Sequence, residues 1–147
     1  MNVAVKLAPK QSTQTEHFDV VIVGAGISGI GSAYHLTQQR PGTSFVVLEA
    51  LESFGGTWLT HRYPGIRSDS DLYTFGYRFK PWVGPPIASA AEILSYMNEV
   101  IGENDLGRHI RYGHKIGSAE WSSKTNQWTI EAVRSDTGET VRITANF

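Results

Sequence analysis

The stretch Asp19-Val-Val-Ile-Val-Gly-Ala-Gly-Ile-Ser-Gly29 decides the fold. Its first half, Asp19 to Val23, is a short β-branched run that is typical of a strand buried on both faces. Ser28 to Gln39 follows with apolar residues at helical spacing, and Arg40-Pro-Gly42 ends that helix. Phe45 to Leu48 predicts a second buried strand. A strand, a helix and a strand within about 30 residues predict a right-handed βαβ unit.

The glycines of this stretch predict a diphosphate site. Gly24 permits a tight turn, Gly26 lets a pyrophosphate approach the backbone, and Gly29 allows the helix to pack closely on the strand. Free N–H groups and the dipole at the helix start favour phosphates, and Ser28 adds a hydroxyl. The alternative is a glycine-rich turn that binds no ligand.

Glu49 stands at the end of the second strand, 49 − 29 = 20 residues after the last glycine. An acid at this spacing accepts hydrogen bonds from a ribose diol. Because its charge repels a 2′-phosphate, this site favours FAD or NAD over NADP. The alternative is a surface glutamate without a ligand.

The segment after Glu49 favours FAD over NAD. Gly55-Gly-Thr-Trp58 and Arg62-Tyr-Pro-Gly65 intervene where an NAD enzyme commonly has a short loop and another helix. Glycines allow backbone close to a ligand, and Trp58 and Tyr63 supply flat apolar walls that suit an isoalloxazine ring. The alternative is a surface loop anchored by aromatic side chains.

The remaining elements complete an α/β fold. Ser89-Ala-Ala-Glu92 is a capping box that opens an amphipathic helix, and His109 to Tyr112 predicts a third strand beside the second. Residues 116–121, 127–133 and 140–145 predict three antiparallel strands. The predicted fold class is a Rossmann-like FAD-binding domain, with a parallel sheet and βαβ unit, plus a three-stranded antiparallel β-meander. Residues 1–16 are expected to be a flexible tail, and residues 17–147 a partial FAD-binding domain.

Composition excludes several classes of function. The 147 residues carry a net charge of −1, which removes the electrostatic argument for a nucleic-acid partner. The absence of cysteine excludes thiol catalysis, disulfides and cysteine–zinc sites, and the five histidines lack metal-ligand spacing. The most apolar stretch, Val20 to Ala33, is too short and too glycine-rich to span a membrane, and no signal peptide is evident. We therefore expect a cytoplasmic protein without a membrane span.

Several of these motifs together resemble those of a known family. Phe18 to Gly29, the Leu-Glu49 strand end, Gly55 to Trp58 and Arg62 to Asp69 are similar to the N-terminus of class B flavoprotein monooxygenases, above all Baeyer–Villiger monooxygenases. The run Ser68-Asp-Ser-Asp-Leu-Tyr-Thr-Phe-Gly-Tyr77 with Phe79-Lys-Pro-Trp82 is similar to the branch that contains the mycobacterial ethionamide-activating monooxygenase.

The resemblance implies two dinucleotide-binding domains, one for FAD and one for NADPH. It implies that NADPH reduces FAD, that O2 then reacts, and that a ketone becomes an ester or lactone or a thioether is oxygenated at sulfur. It also implies roles for particular residues: the FAD pyrophosphate at Gly24, Gly26, Ser28 and Gly29; the ribose at Glu49; the flavin side at Gly56, Thr57 and Trp58; the nicotinamide end at Arg67 and Ser68; and the adenine at Ile116.

Asp69 matches the family's acid near the flavin, which helps to position a catalytic arginine. The alternative is that Asp69 and Asp71 only cap the turn after Arg67, with an exposed ion pair worth under about 1 kcal/mol. Phe75 stands where some relatives have a flavin-contacting tyrosine, so no hydroxyl contact is expected there.

The family continues with a closing strand, a second GxGxxG for NADPH and the catalytic arginine, and the sequence contains no second GxGxxG. We therefore expect a fragment, a truncated gene product or one piece of a split monooxygenase, with the missing C-terminal part as a partner. Alone, it is expected to bind FAD weakly, if at all, and to have no turnover. One edge of the first strand should lack a neighbour. The alternatives are a stand-alone, non-catalytic FAD- or nucleotide-binding module and, with less support, another two-dinucleotide flavoprotein such as an N-hydroxylase or reductase.

Overall fold

The computed structural model describes residues 14–147, which fold into two sheets and their covering helices. The parallel sheet has the order β2-β3-β4, and the other sheet has the order β1-β7-β6-β5. The strands are β1 (Glu16–Phe18), β2 (Val20–Val23), β3 (Phe45–Leu48), β4 (Ile110–Arg111), β5 (His114–Ser122), β6 (Gln127–Arg134) and β7 (Thr140–Ala145). The helices are α1 (Ile27–Gln39), α2 (Thr57–Thr60), α3 (Leu72–Phe75) and α4 (Ala90–Glu103). The predicted fold class is confirmed.

Strand β3 separates two hydrophobic cores. Side chains of a strand alternate between its faces. Phe45 and Val47 therefore pack into the core that includes residues of α1 and α4, while Val46 and Leu48 pack into the core of the antiparallel sheet. All four are buried, as the uninterrupted apolar run predicted. The result is three layers, with the parallel sheet between helices and meander.

Strand β2 is less buried than the sequence predicted. It pairs with β3 in parallel from Val20 to Val23, but three of its residues are only half-buried and Val23 is 70% exposed. The reason is its position at the edge of the parallel sheet. Among the described residues, the outer side of β2 is bonded by Phe147, which accepts from Val21 N–H at 2.9 Å and donates to the Asp19 carbonyl at 3.0 Å.

The antiparallel sheet contains one strand that the sequence did not predict. Strand β1 pairs in parallel with β7, so the first strand begins at Glu16, within the expected tail; residues 1–13 lie outside the described part of the chain. Arg111 of the parallel sheet forms a bidentate ion pair with Glu16, at 2.8 and 2.7 Å. Its guanidinium also lies 5.4 Å from the centroid of the Phe18 ring. These contacts join the two sheets.

Helix α4 supports the irregular segment between residues 50 and 87. Its predicted capping box is present, with Ser89 Oγ accepting from Glu92 N–H and the Glu92 carboxylate accepting from Ser89 N–H. Its buried side, which includes Ile93 and Met97, faces the helical core. The irregular segment forms two short helices, α2 and α3, with α2 packed against α4. No helix between residues 14 and 147 is both long and apolar enough to cross a membrane.

Candidate functional site

A cleft of about 260 Å³ opens between the end of β2 and the start of α1. It lies at the carboxyl end of parallel strands, where open α/β sheets bind ligands. Two glycine-rich segments form most of its wall. The lining residues are Val23, Gly24, Gly26, Ile27, Ser28, Gly29, Gly55, Gly56, Thr57 and Trp58. The structure therefore brings seven of the predicted FAD-site residues, Ser28 among them, together at one cleft.

The glycine turn needs its glycines for steric reasons. Gly24 has φ of +90°, a conformation that side chains rarely adopt. A Cβ on Gly29 would lie 1.9 Å from the Gly24 carbonyl oxygen. The helix therefore packs directly against the turn, as the spacing predicted. A Cβ on Gly26 would meet only Gly56 Cα, at 3.7 Å, so that position is open towards the second glycine segment.

The start of α1 presents free amide groups. Gly26 is the N-cap and has no side chain to bond the first turn, and that turn contains no acidic residue. The first intrahelical bond runs from Ile30 N–H to the Gly26 carbonyl at 3.0 Å. The amides of Ile27, Ser28 and Gly29 therefore precede the helical ladder and need another acceptor. Such a helix start is suited to an anion.

Glu49 points at the glycine turn and not into solvent. It is 7% exposed, and its Oε2 accepts from Ala25 N–H at 2.7 Å while Oε1 accepts from Leu51 N–H at 2.9 Å. Burial of the Tyr112 phenol raises its pKa, and the negative charge of the neighbouring Glu49 raises it further. Each oxygen of a carboxylate can accept a second hydrogen bond. Glu49 therefore holds the turn in shape and keeps acceptor capacity for a diol.

The second glycine segment packs against the first. Gly55, at φ of +131°, donates its N–H to the Ala25 carbonyl at 3.0 Å. A Cβ on Gly56 would lie 3.2 Å from Gly26 Cα. The two segments thus approach each other more closely than side chains would allow. At the far end of the cleft Trp58 meets the Phe75 ring edge-on, with centroids 6.1 Å apart.

Arg67, Ser68 and Asp69 lie outside the lining of this cleft, beside the start of α4. The buried Ser68 donates its N–H to the Ala88 carbonyl at 2.8 Å, and its Oγ accepts from Ala88 N–H at 3.1 Å. The exposed Arg67 donates from Nε to the Gly65 carbonyl at 3.1 Å. Within residues 14–147, no ion pair joins Arg67 to Asp69.

The structure separates the roles of the two aspartates near Arg67. Asp71 is the N-cap of α3 and accepts from Thr74 N–H at 2.9 Å. Asp69 is exposed, and its side chain makes no hydrogen bond to any other residue of the described chain. The capping function therefore belongs to Asp71 alone, and the Asp69 carboxylate is available for another group.

Ile116 belongs to β5, the strand whose first residue is hydrogen-bonded to the backbone of Glu49. Strand β5 starts where His114 N–H donates to the Glu49 carbonyl at 2.8 Å, two residues before Ile116. Glu49 N–H in turn donates to the Arg111 carbonyl at 2.9 Å. Glu49 is therefore bonded through its backbone to the residues at the end of β4 and the start of β5.

Sequence reasoning missed residues that act through the backbone. Ala25 links Glu49 to Gly55, because its N–H and its carbonyl are both bonded. The Gly55-Gly56 pair in the sequence indicated a close backbone approach, whereas no local pattern indicated a role for Ala25. No group of three or more potential metal-binding side chains occurs in residues 14–147.

A family model described as an NAD(P)-binding Rossmann-like domain matches residues 22–84. The chain is 53% identical over 134 residues to the FAD-containing monooxygenase EthA of Mycolicibacterium smegmatis, covering 90% of this chain and 27% of that protein. It is 46% identical over 133 residues to the putative FAD-containing monooxygenase MymA of Mycobacterium tuberculosis, with the same coverage of 90% and 27%. The chain spans about a quarter of the length of these relatives.

Solved monooxygenases share the fold. An oxidised steroid monooxygenase bound to NADP superposes with a TM-score of 0.78 at 33% identity, over 89% of this chain and 25% of that one. A closed cyclohexanone monooxygenase superposes with a TM-score of 0.78 at 29% identity, over 91% and 25%. The resemblance to the N-terminal segment of FAD-containing, Baeyer–Villiger-type monooxygenases is therefore confirmed.

Proposed function

We propose that this chain, a homologue of the FAD-containing monooxygenases, binds FAD with its diphosphate at the glycine turn and its adenosine ribose at Glu49. The observation that carries the proposal is the uncapped start of α1, open to a cleft beside a buried carboxylate that is bonded to the turn. Backbone amides in this arrangement bind phosphate oxygens, and Gly24, Gly26, Ser28 and Gly29 supply the turn.

The charge of Glu49 favours FAD at this site. Its carboxylate is buried at the tip of β3, so a 2′-phosphate there would meet an uncompensated negative charge. A ribose diol would instead donate to the free lone pairs of the carboxylate. The position of His114 beside Glu49 supports adenine binding along the start of β5, at the backbone of Ile116.

The other end of the cleft suits the flavin. Gly56, Thr57 and Trp58 line it, and the Gly56 position leaves room for backbone alone beside the first glycine turn. Phe75 contributes a ring against Trp58 and no hydroxyl. FAD would supply the redox chemistry when bound, and these residues would hold and orient it and exclude water from one side.

Asp69 is proposed to act near the flavin, with Arg67 and Ser68 beside the nicotinamide end. The support is that Asp69 keeps an exposed carboxylate while Asp71 takes the structural task. In this proposal Asp69 orients a cationic group of the complete enzyme by an ion pair.

The activity of the complete protein is proposed from its relatives. It is an NADPH- and O2-dependent monooxygenation that converts ketones to esters or lactones or oxygenates thioethers, in the cytoplasm. Cyclohexanone monooxygenases among the structural neighbours support a ketone substrate. The 147 residues contain one GxGxxG, so we expect FAD bound to this chain to stay oxidised when NADPH is added without oxygen. Rapid loss of the visible flavin absorbance would contradict that expectation.

The test of FAD binding is a titration of the purified chain, followed by the flavin absorption spectrum and by fluorescence quenching. Gly26→Val should abolish binding, because its methyl groups would fill the space between the two glycine segments. Gly102→Val is the matched control, since a Cβ at Gly102 meets no atom within 4 Å. Equal affinity of both variants would place FAD elsewhere, and absence of binding by the unmodified chain would refute the proposal.

A further inference from the structure

The Tyr77 side chain contacts the first turn of α1 from outside the lining of the cleft. Its hydroxyl donates to the carbonyl of Ile27, which is the first residue of that helix and lies 50 positions earlier in the chain. Ile27 and Ser28 both line the cleft. A residue of the aromatic segment after α3 therefore bonds directly to the backbone of the proposed diphosphate site.

The Tyr77 ring is fixed by its neighbours. It stacks on Phe79 with centroids 4.7 Å apart and on Tyr96 of α4 at 5.7 Å. Tyr77 N–H donates to the Tyr96 hydroxyl at 2.8 Å, and that hydroxyl donates to the Lys80 carbonyl at 2.5 Å. The ring and its backbone are therefore attached to the helix that supports the whole irregular segment.

Helix α1 meets this ring through a glycine. A Cβ on Gly31 would lie 2.9 Å from Tyr77 Cε1, so only glycine allows the helix to rest on the ring at this distance. Gly31 belongs to the glycine-rich stretch but not to the GxGxxG motif, and the diphosphate site alone does not require it. Its contact with Tyr77 supplies a reason for glycine at this position.

The hydrogen bond acts on one peptide group. The Ile27 carbonyl and the Ser28 N–H belong to the same planar peptide unit, in which they point in opposite directions. A donor on the carbonyl fixes the plane of that unit, and so fixes the direction of the N–H. It also polarises the unit and strengthens the hydrogen bond that the N–H donates on its other side.

We propose that Tyr77 is a positioning residue of the diphosphate site. By donating a hydrogen bond to the Ile27 carbonyl, it orients the Ser28 N–H and strengthens the hydrogen bond that this N–H donates. The inference rests on the proposed FAD binding and adds a residue that does not touch the cofactor. Burial also raises the pKa of the Tyr77 phenol above its ordinary value, so the hydroxyl keeps its proton over the pH range of the experiment.

The test compares Tyr77→Phe with Tyr73→Phe. Tyr73 of α3 also donates its hydroxyl to a backbone carbonyl, that of Gly84 at 2.6 Å, but neither residue lines the cleft. Tyr77→Phe should weaken FAD binding by about 3- to 10-fold, the effect of losing one hydrogen bond, and Tyr73→Phe should leave the affinity unchanged. The amide resonance of Ser28 in a 15N-labelled sample should shift in Tyr77→Phe only.

Gly31→Ala provides a second route to the same contact, since its methyl group would push the ring away. The double variant Gly31→Ala/Tyr77→Phe should have the same FAD affinity as whichever single variant binds FAD less tightly, because both changes act on one contact. Equal FAD affinity of the unmodified chain and Tyr77→Phe, with an unmoved Ser28 resonance, would overturn this inference while leaving FAD binding intact. Failure of the unmodified chain to bind FAD would overturn the proposed function and this inference together.

Discussion

Gly29→Ala and Gly102→Ala should have opposite effects, although both replace a helical glycine by the best helix former. In an otherwise unconstrained helix this change stabilises by about 1 kcal/mol. Gly102 lies near the end of α4, and its Cβ would meet no atom within 4 Å. A Cβ on Gly29 would lie 1.9 Å from the Gly24 carbonyl oxygen and 3.1 Å from the Gly24 carbonyl carbon.

The size of the destabilisation by Gly29→Ala follows from the rigidity of the backbone atoms that the new Cβ would contact. Both atoms belong to the backbone of a turn at φ of +90°, so no side chain can rotate away. To reach even a tight contact, helix and turn must separate by about 1 Å. Overpacking of this kind costs about 1–3 kcal/mol, and a backbone clash belongs at the upper end of that range. After the gain in helix propensity, Gly29→Ala should lower the free energy of unfolding by about 2 kcal/mol.

Urea unfolding at pH 7 is the appropriate assay. A loss of about 2 kcal/mol should lower the midpoint by about 1 M, while Gly102→Ala should raise it slightly. FAD affinity should fall in Gly29→Ala at least about tenfold, because the amides of the first helical turn move away from the glycine turn. Two variants of equal stability, both binding FAD like the unmodified chain, would show that the close packing of α1 on the turn is not as described.

The other expected outcomes concern the carboxylates. Glu49→Ala should weaken FAD binding at least tenfold and destabilise the chain by about 1–3 kcal/mol, because the buried Ala25 amide and the partly buried Leu51 amide lose their acceptor; unfolding curves and FAD titration check this. Glu16→Gln should cost under about 1 kcal/mol at neutral pH, since the pair with Arg111 is half-exposed. The hydrogen bond from Arg111 lowers the pKa of Glu16 below its ordinary value, so this contribution is present above pH 4.5 and is lost as the pH falls further. Unfolding curves of the two proteins should therefore converge in acid. Asp71→Ala should lower stability by up to about 1 kcal/mol through loss of the cap, whereas Asp69→Ala should not change the melting temperature.

Local patterns predicted the parts of the fold that depend on neighbouring residues. The glycine turn, the capping box of α4 and the meander strands are encoded within a few positions; the structure contains all of them, with the strand boundaries within two residues of those predicted. Trp121 and Trp128 face each other across β5 and β6, with ring centroids 5.5 Å apart, as directly paired residues of a hairpin do.

Contacts between segments that are distant along the chain could not be predicted from local sequence patterns. Strand β1 exists because it pairs with β7, which lies more than 120 residues later. The exposure of Val23 reflects the edge position of β2. The β-branched composition predicted a strand buried on both faces, and only the absence of the family's closing strand predicted its free edge. Asp69 and Asp71 were indistinguishable by type and spacing, and only the hydrogen bond to Thr74 separates them. The roles of all predicted FAD-site residues remain predictions until binding is measured.

The backbone of Glu49 is bonded on one side to the parallel sheet, at Arg111, and on the other to the meander, at His114. Local opening of either sheet near this residue would therefore disturb the nucleotide pocket. By mass action, a nucleotide that binds only the closed form suppresses such openings. Deuterium uptake along the meander should consequently slow when the flavin nucleotide is added, and the slowing should extend to amides of β6 and β7 that lie beyond the proposed adenine contact at Ile116.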